Sequence, residues 1–198
     1  TVRHEAIGPL LLLMLAVSTL VRPVAELFPG FADEVFGQGA AGLAWLTSAV
    51  GLGAVGGGVW LARRGNASGL VMVAIVGSGL CAGSLLLFTA TTAFWLAVPA
   101  MGLFGAAAVA IAIATQTLLL GAVDDSIRGR VLSLYGVIFR GGPAVGSLLM
   151  GALSAPFGLR LPLAVGGLVC VIAALRLWRR RRRLIVRLER TGPRLRRG

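Results

Sequence analysis

The sequence predicts an all-α integral membrane protein with six transmembrane helices, and three observations lead to this class. Of the 198 residues, 57% are apolar and only 13% are charged, whereas a soluble domain carries about 25% charged residues. The mean hydropathy is +0.91. The apolar residues form long runs that do not alternate with polar ones, unlike the strands of a membrane β-barrel. These observations exclude a disordered chain, a disulfide scaffold and an ordinary soluble domain.

Six apolar segments are long enough to cross about 30 Å of hydrocarbon as helices. They are residues 7–28, 40–61, 69–89, 94–120, 131–153 and 161–178. No charged residue occurs between positions 65 and 123, a stretch too long for one crossing, so we expect a helical hairpin with its turn at 89–92. The sequence therefore predicts one transmembrane domain over residues 1–178 and an arginine-rich tail over residues 179–198.

All 19 basic residues are arginine, and their distribution predicts the orientation in the membrane. Sixteen of them fall on one side of the six predicted spans, whereas the opposite side has only Arg160. The positive-inside rule then places both termini in the cytoplasm. Eleven arginines lie within the last 23 residues, directly after an apolar span. We expect this tail to bind anionic lipid headgroups and not nucleic acid.

Glycine pairs four residues apart indicate close packing between helices. Three pairs have this spacing: Gly53 with Gly57, Gly79 with Gly83, and Gly142 with Gly146. Small residues allow two helix backbones to approach closely in lipid. Pro143, inside the last pair, predicts a bend in the fifth span.

Arg140 is the strongest candidate for a functional side chain. It is the tenth residue of the fifth predicted span, about 15 Å along a helix and therefore near the membrane midplane. A charge at this depth is costly unless it faces water or a partner. Three interpretations stay open: a contact with an anion or substrate, a gating ion pair, and a structural pair with an acid on another helix.

Arg22 lies near the outer end of the first predicted span. Glu26 follows four residues later, the spacing at which two side chains pair on one helix face. Pro23 removes a backbone hydrogen bond and predicts a kink. The segment is either a hinge beside an outer gate or an interfacial arginine next to a harmless kink.

Other polar residues within the spans are candidates for a cavity wall. They are Ser18, Thr19, Thr115, Gln116 and Thr117. Side-chain amides and hydroxyls also join helices or bond to their own backbone, so both roles stay open. A charged turn precedes the fifth span and has the spacing of helix caps and intrahelical pairs: Asp124, Asp125, Arg128 and Arg130.

No group of residues in the sequence suggests an enzyme. The single histidine is His4, and the two cysteines, Cys81 and Cys170, do not have the spacing of a metal site. The glycine runs lie inside apolar segments, so they do not indicate a nucleotide-binding loop. We expect no catalytic residue, no bound metal and no cofactor.

Three segments together resemble the major facilitator superfamily, and within it the enterobactin-exporter-like branch of bacterial efflux permeases. They are DSIRGRVLSLY at 125–135, GGPAVGSLLMG at 141–151 and FGLR at 157–160. This resemblance implies that the six spans are the C-terminal half of a twelve-helix bundle in a bacterial plasma (inner) membrane.

The resemblance also implies roles for the candidate residues. The first and fourth helices would line a central cavity, with Ser18, Thr19, Arg22, Thr115, Gln116 and Thr117 on its wall, and we add Arg140 to this group. Asp124, Asp125, Arg128 and Arg130 would belong to a cytoplasmic gate. The helix with Gly142 and Gly146 would pack against the other half of the transporter.

The implied function is secondary transport, with proton-coupled export of a small molecule. The partner would be the N-terminal six-helix half, which would also supply the proton-coupling acid. Arg22 and Arg140 favour an anionic or polyhydroxylated substrate such as a siderophore. Two alternatives stay open: a non-transporting truncated module or scaffold, and a six-helix unit that works as a homodimer.

Overall fold

The chain forms six long helices joined by short connections, in a computed structural model that describes residues 4–64, 69–122 and 128–179. The helices are α1 (His4–Leu20), α2 (Gly39–Arg64), α3 (Leu70–Ala90), α4 (Phe94–Ala122), α5 (Arg128–Phe157) and α6 (Arg160–Arg179). Within the described residues, six helical stretches are long and apolar enough to cross a membrane. This confirms the predicted class, an all-helical membrane protein with six spans.

The connections between helices carry the expected turn residues. α3 and α4 are separated only by residues 91–93, close to the turn that the uncharged stretch predicted. Gly69 precedes α3 with φ +82°, and Gly158 follows α5 with φ +75°. Glycine adopts this left-handed backbone without a steric penalty, which explains its use at both turns.

The first span is longer and less regular than the sequence predicted. α1 ends at Leu20, and the chain continues as a 3₁₀ helix (Arg22–Leu27), one α-helical turn (Phe28–Gly30) and a π-helical turn (Phe31–Val35). Pro23 lies in the first turn of the 3₁₀ helix, where a missing N–H is tolerated. The apolar span therefore runs from Leu12 to Val35. Arg22 is the first residue of the 3₁₀ helix, directly after α1 and Val21. Its expected position near the outer end of the span stays a prediction.

The helices pack in a definite order. α4 lies between α2 and α3, α3 also contacts α6, and α1 packs against α5 and α6. Of the six spans, α3 is the most enclosed, with 61% of its span buried, whereas α2 and α5 each have only 17% buried. Two broad apolar helix faces therefore lack a partner within the described residues.

An aromatic cluster closes the end of the bundle at which α3 turns into α4. Its members are Phe28, Phe31, Phe36, Phe88 and Phe94, with ring centroids 4.7 to 6.5 Å apart. It anchors the irregular part of the first span to α3 and α4. At the same end Arg160 donates a hydrogen bond to the carbonyl oxygen of Thr91, at 3.1 Å. The exposed rings of Trp45 and Trp95 meet there at 5.9 Å, as is typical of a membrane interface.

Glycines set the distance between α2 and α4. A Cβ atom at Gly53 would overlap the carbonyl oxygen of Gly102, and one at Gly57 would overlap that of Ala106. In the opposite direction, a Cβ at Gly105 would overlap the carbonyl oxygen of Val50. The two backbones are therefore in direct contact, and this contact exists only because three side chains are missing.

A second set of glycines lies against α1. A Cβ at Gly142 would overlap the hydroxyl oxygen of Ser18, and one at Gly146 would overlap the carbonyl oxygen of Thr19. Both glycines are buried within this bundle. Their small size brings α5 close to α1. The expectation that this helix also packs against the other half of a transporter stays a prediction. The pair Gly79 and Gly83 mediates no comparably close approach.

Gly53→Ala should lower the free energy of unfolding in detergent by about 1–3 kcal/mol, because the new methyl group forces α2 and α4 apart. The matched control is Gly51→Ala on the same helix, where no atom lies within 4 Å of the added Cβ. The control should leave stability unchanged or raise it by up to ~1 kcal/mol through helix propensity. Equal changes in both variants would show that backbone contact does not hold these helices together.

Candidate functional site

Arg22 forms the centre of a small cluster inside the membrane span. Its side chain is half-buried, and its Cζ atom lies 4.2 Å from the ring centroid of Phe139. This distance is well within the range of a cation–π interaction. Phe139 in turn stacks on Tyr135, with ring centroids 5.7 Å apart and an interplanar angle of 15°. The guanidinium and two aromatic rings therefore form one continuous stack.

The helices position this stack through specific contacts. Tyr135 and Phe139 are four residues apart on α5 and therefore lie on the same helix face. The Tyr135 hydroxyl donates a hydrogen bond to the carbonyl oxygen of Ala112 on α4, at 3.1 Å. The Ser18 hydroxyl of α1 donates to the carbonyl oxygen of Ile138, at 2.9 Å. Three helices, α1, α4 and α5, are thus joined around Arg22.

A cavity of about 20 Å³ lies beside the guanidinium, which is space for about one water molecule. Its wall combines residues of the same three helices with Arg22 of the 3₁₀ helix. They are Met14, Val17 and Ser18 of α1, Ala108, Ile111 and Ala112 of α4, and Phe139 of α5. Most of these side chains are apolar. A polar group that entered the cavity would therefore meet Arg22 and the Ser18 hydroxyl as its polar partners.

Arg22 has no acidic partner among the described residues. The predicted pair with Glu26 does not form, because residues 22–27 are a 3₁₀ helix and the carboxylate is exposed. With three residues per turn, positions four apart no longer lie above one another. The guanidinium contacts Phe139 and not a carboxylate. A charge within an apolar span without a counter-ion is a functional hypothesis by default.

The family model of the Major Facilitator Superfamily matches residues 7–195, nearly the whole chain. The chain belongs to the major facilitator superfamily. This is a family of membrane transporters and not of enzymes, so the chain is a multi-pass membrane protein of a transporter family. Its six helices are consistent with half of a bundle of this superfamily. Neither the curated proteins nor the solved structures searched for comparison give a match.

The polar residues predicted to line a central cavity differ in how much of their side chain is exposed. Only an exposed side chain can face such a cavity. Ser18 is buried, and its hydroxyl is used in the contact with α5. Thr115 is also buried, with 4% of its surface exposed. Gln116 and Thr117 are exposed, although the Thr117 hydroxyl donates to Ile113 of its own helix at 2.8 Å. Thr19 is half-buried, with its carbonyl oxygen against Gly146.

Arg140 follows Phe139 directly on α5 and is therefore the next residue after the ring that Arg22 contacts. Its side chain is exposed. The structural interpretation, a pair with an acid on another helix, is not realised among the described residues. The Arg140 side chain therefore faces out of this six-helix unit, whereas the Arg22 side chain packs inside it against Phe139.

The charged turn before α5 is only partly described. Asp124 and Asp125 lie outside the described residues, as do the Arg128 side chain and the arginine tail beyond residue 179. Arg130 is exposed at the start of α5. The role of this turn as a cytoplasmic gate stays a prediction.

Sequence reasoning missed Tyr135 and Phe139 as partners of Arg22. A usable signal was present, because two aromatic residues four apart directly precede the intramembrane Arg140. The sequence did not indicate which arginine these rings would contact. That depends on the close approach of α1 and α5 at Gly142 and Gly146.

A double-mutant cycle tests the contact between Arg22 and Phe139. Arg22→Met and Phe139→Leu should show a coupling free energy of about 0.5–2 kcal/mol, the range of a cation–π contact. Unfolding in detergent, followed by circular dichroism, measures it. The matched cycle with Arg140→Met should give a coupling below about 0.5 kcal/mol, because that side chain is exposed. Similar coupling in both cycles would contradict the contact.

Proposed function

We propose that the chain is one six-helix half of a secondary transporter that exports a small molecule past Arg22. The support is the guanidinium itself, which is half-buried within an apolar span and lacks an acidic partner among the described residues. An arginine at this depth weakens the fold unless a ligand or water meets it. A substrate that carries negative charge or several hydroxyl groups would supply that partner.

Alternating access needs a second bundle, because transport occurs when one unit rocks against another around a site near the midplane. The open face of α5 and the exposed α2 residues Leu52, Val55 and Val59 offer the surface for such a unit. We propose that the N-terminal half of the same transporter covers them. The resemblance of residues 125–160 to the C-terminal part of efflux permeases supports this assignment.

The substrate class follows from the cluster around Arg22. A guanidinium presents five N–H donors in a rigid fork that fits carboxylates, catecholates and clustered hydroxyls. The stacked rings of Phe139 and Tyr135 add an aromatic surface beside it. We therefore propose an anionic or polyhydroxylated substrate of the siderophore type, in keeping with the enterobactin-exporter-like resemblance. Arg140, which is exposed and next to Phe139 on α5, is proposed to contact the substrate from the open side.

Proton coupling is proposed to use an acid of the other half. The carboxylates whose side chains are described, Glu26, Asp33 and Glu34, are all exposed and lie toward one end of the first span. We propose a bacterial inner membrane with both termini in the cytoplasm, since Arg63, Arg64 and Arg179 share one end of the bundle. Export as the direction is supported by the resemblance.

Arg22→Gln should reduce efflux about 10- to 100-fold, the effect of losing one charge-assisted hydrogen bond to substrate. Uptake of a radiolabelled catecholate siderophore into inverted membrane vesicles measures it. Arg176→Gln, an exposed arginine near the end of α6, is the matched control and should transport normally. Normal efflux by Arg22→Gln, or stronger competition by cationic dyes than by catecholates, would contradict the proposed site.

Arg140→Leu separates a transporter from a non-transporting module. We expect the variant to reach the membrane in normal amounts and to lose efflux, because the substrate then lacks its second charged contact. Membrane abundance is measured by immunoblot, and efflux in the same vesicles. Retained efflux would remove Arg140 from the site, and a wild-type chain without any transport would support the scaffold alternative.

The mass of the native chain in its own membrane tests the half-transporter assignment. An antibody against the arginine tail should detect a band near twice 20.4 kDa. A band at 20.4 kDa would contradict the assignment. Cross-linking at exposed Leu52 of α2 would then show whether two copies of the chain form the transporter.

A further inference from the structure

A long apolar groove opens on the surface between α2, α3 and α4, away from the Arg22 cluster. Its volume is about 380 Å³. The floor consists of short residues, among them Gly57, Gly77 and Ala106, and the rim consists of larger exposed side chains, Trp60, Leu80 and Leu103. Arg64 is the one charged residue among the lining residues that the structure describes. The groove is thus apolar along its length and cationic at one end.

The dimensions of the groove suit one membrane leaflet. It extends along α2 from Arg64 to Gly56, eight residues apart, which is about 12 Å at the helical rise. One leaflet contributes about 15 Å of hydrocarbon. Arg64 is at the end of α2, where the helix leaves the apolar region, and its neighbour Arg63 is also exposed there. The groove therefore descends from the headgroup level through most of one leaflet.

The surrounding residues hold the Arg64 side chain at the mouth of the groove. Its Cζ atom lies 5.8 Å from the ring centroid of Trp60, one helical turn earlier. On the other side, a Cβ atom at Gly69 would come within 2.7 Å of the Arg64 Nη2 atom. Glycine at this position gives the turn its left-handed backbone and also leaves room for the guanidinium.

We propose that this groove binds one anionic phospholipid, with the headgroup phosphate on Arg64 and one acyl chain along the glycine and alanine floor. The charge of the groove matches such a molecule, since a guanidinium binds a phosphate through two parallel hydrogen bonds. Among the lining residues that the structure describes, the floor offers no polar side chain to a second headgroup or to a water-soluble anion. A purely apolar transmembrane helix would cover the floor and leave Arg64 without a counter-ion.

Lipid binding in this groove differs from the binding of lipids that we expect at the arginine tail. A cluster of surface arginines draws anionic lipids without choosing a particular position. The groove selects one molecule by shape as well as charge. The two modes therefore respond differently to a substitution that fills the groove and leaves every arginine in place.

Native mass spectrometry of the full purified chain tests the site, with phosphatidylglycerol as the probe and phosphatidylcholine of the same acyl chains as the neutral reference. Gly56→Leu fills the groove, and nothing lies within 4 Å of a Cβ at this position. Its matched control is Gly51→Leu on the same helix, which is equally open but does not line the groove. Arg64→Gln removes the charge at the mouth, with the exposed Arg63→Gln as its control.

We expect phosphatidylglycerol to bind more tightly than phosphatidylcholine. Arg64→Gln should weaken this binding about fivefold, the equivalent of ~1 kcal/mol for one arginine at an anionic leaflet. Gly56→Leu should weaken it by a similar factor, and both controls should bind as the wild type does. For each variant, an unchanged circular dichroism spectrum and an unchanged elution volume in size-exclusion chromatography in detergent show that it is folded.

Four results would overturn the site. Equal affinity for the two lipids would show that the site does not prefer an anionic phospholipid. Equal losses in Arg64→Gln and Arg63→Gln would reduce the effect to general surface charge. Equal binding by Gly56→Leu and Gly51→Leu would show that the groove holds no acyl chain. A dimeric species that excludes the lipid would show that a second copy covers this surface.

Discussion

Direct contact between helix backbones is the interaction on which the rest of this bundle depends. In a membrane, an apolar side chain gains little free energy by exchanging lipid for another helix. Helix association therefore depends on van der Waals contact between closely spaced backbones. Gly53 and Gly105 provide it between α2 and α4, and Gly142 and Gly146 provide it between α5 and α1. The second approach also brings Phe139 onto Arg22, so the candidate site is a consequence of helix packing.

The irregular first span loses backbone hydrogen bonds, and it also changes which side chains face each other. A helix that changes from α to 3₁₀ and then to a π-helical turn loses regular hydrogen bonds. The phenylalanine cluster offsets this cost, because Phe28 and Phe31 are almost fully buried against α3 and α4. The change of helix type at Arg22 turns Glu26 away from the arginine. Among the described residues, the guanidinium of Arg22 is thereby left with the Phe139 ring and without a carboxylate partner.

Much of the fold was predictable from composition and spacing, whereas the site was predictable only as a set of candidates. Apolar runs and their turns predicted six helices, and glycine spacing predicted close packing. The same spacing did not show that Gly142 faces α1 or that Gly79 makes no close contact. Ser18, Thr115 and Gln116 were chosen because they are polar, and the structure shows the first two buried and the third exposed. Polarity predicts that a side chain needs a partner but does not identify it.

The sequence by itself determined six segments that are long and apolar enough to cross a membrane as helices, because hydrocarbon thickness sets the length of each apolar run. A helix also satisfies its backbone hydrogen bonds internally, as a membrane requires. The sequence also determined the family, since the match covers residues 7–195. Only the tertiary structure decided the contact of Arg22 with Phe139 and the groove below Arg64. These features are contacts between residues that are far apart in the sequence. The spacing of neighbouring residues does not predict such contacts.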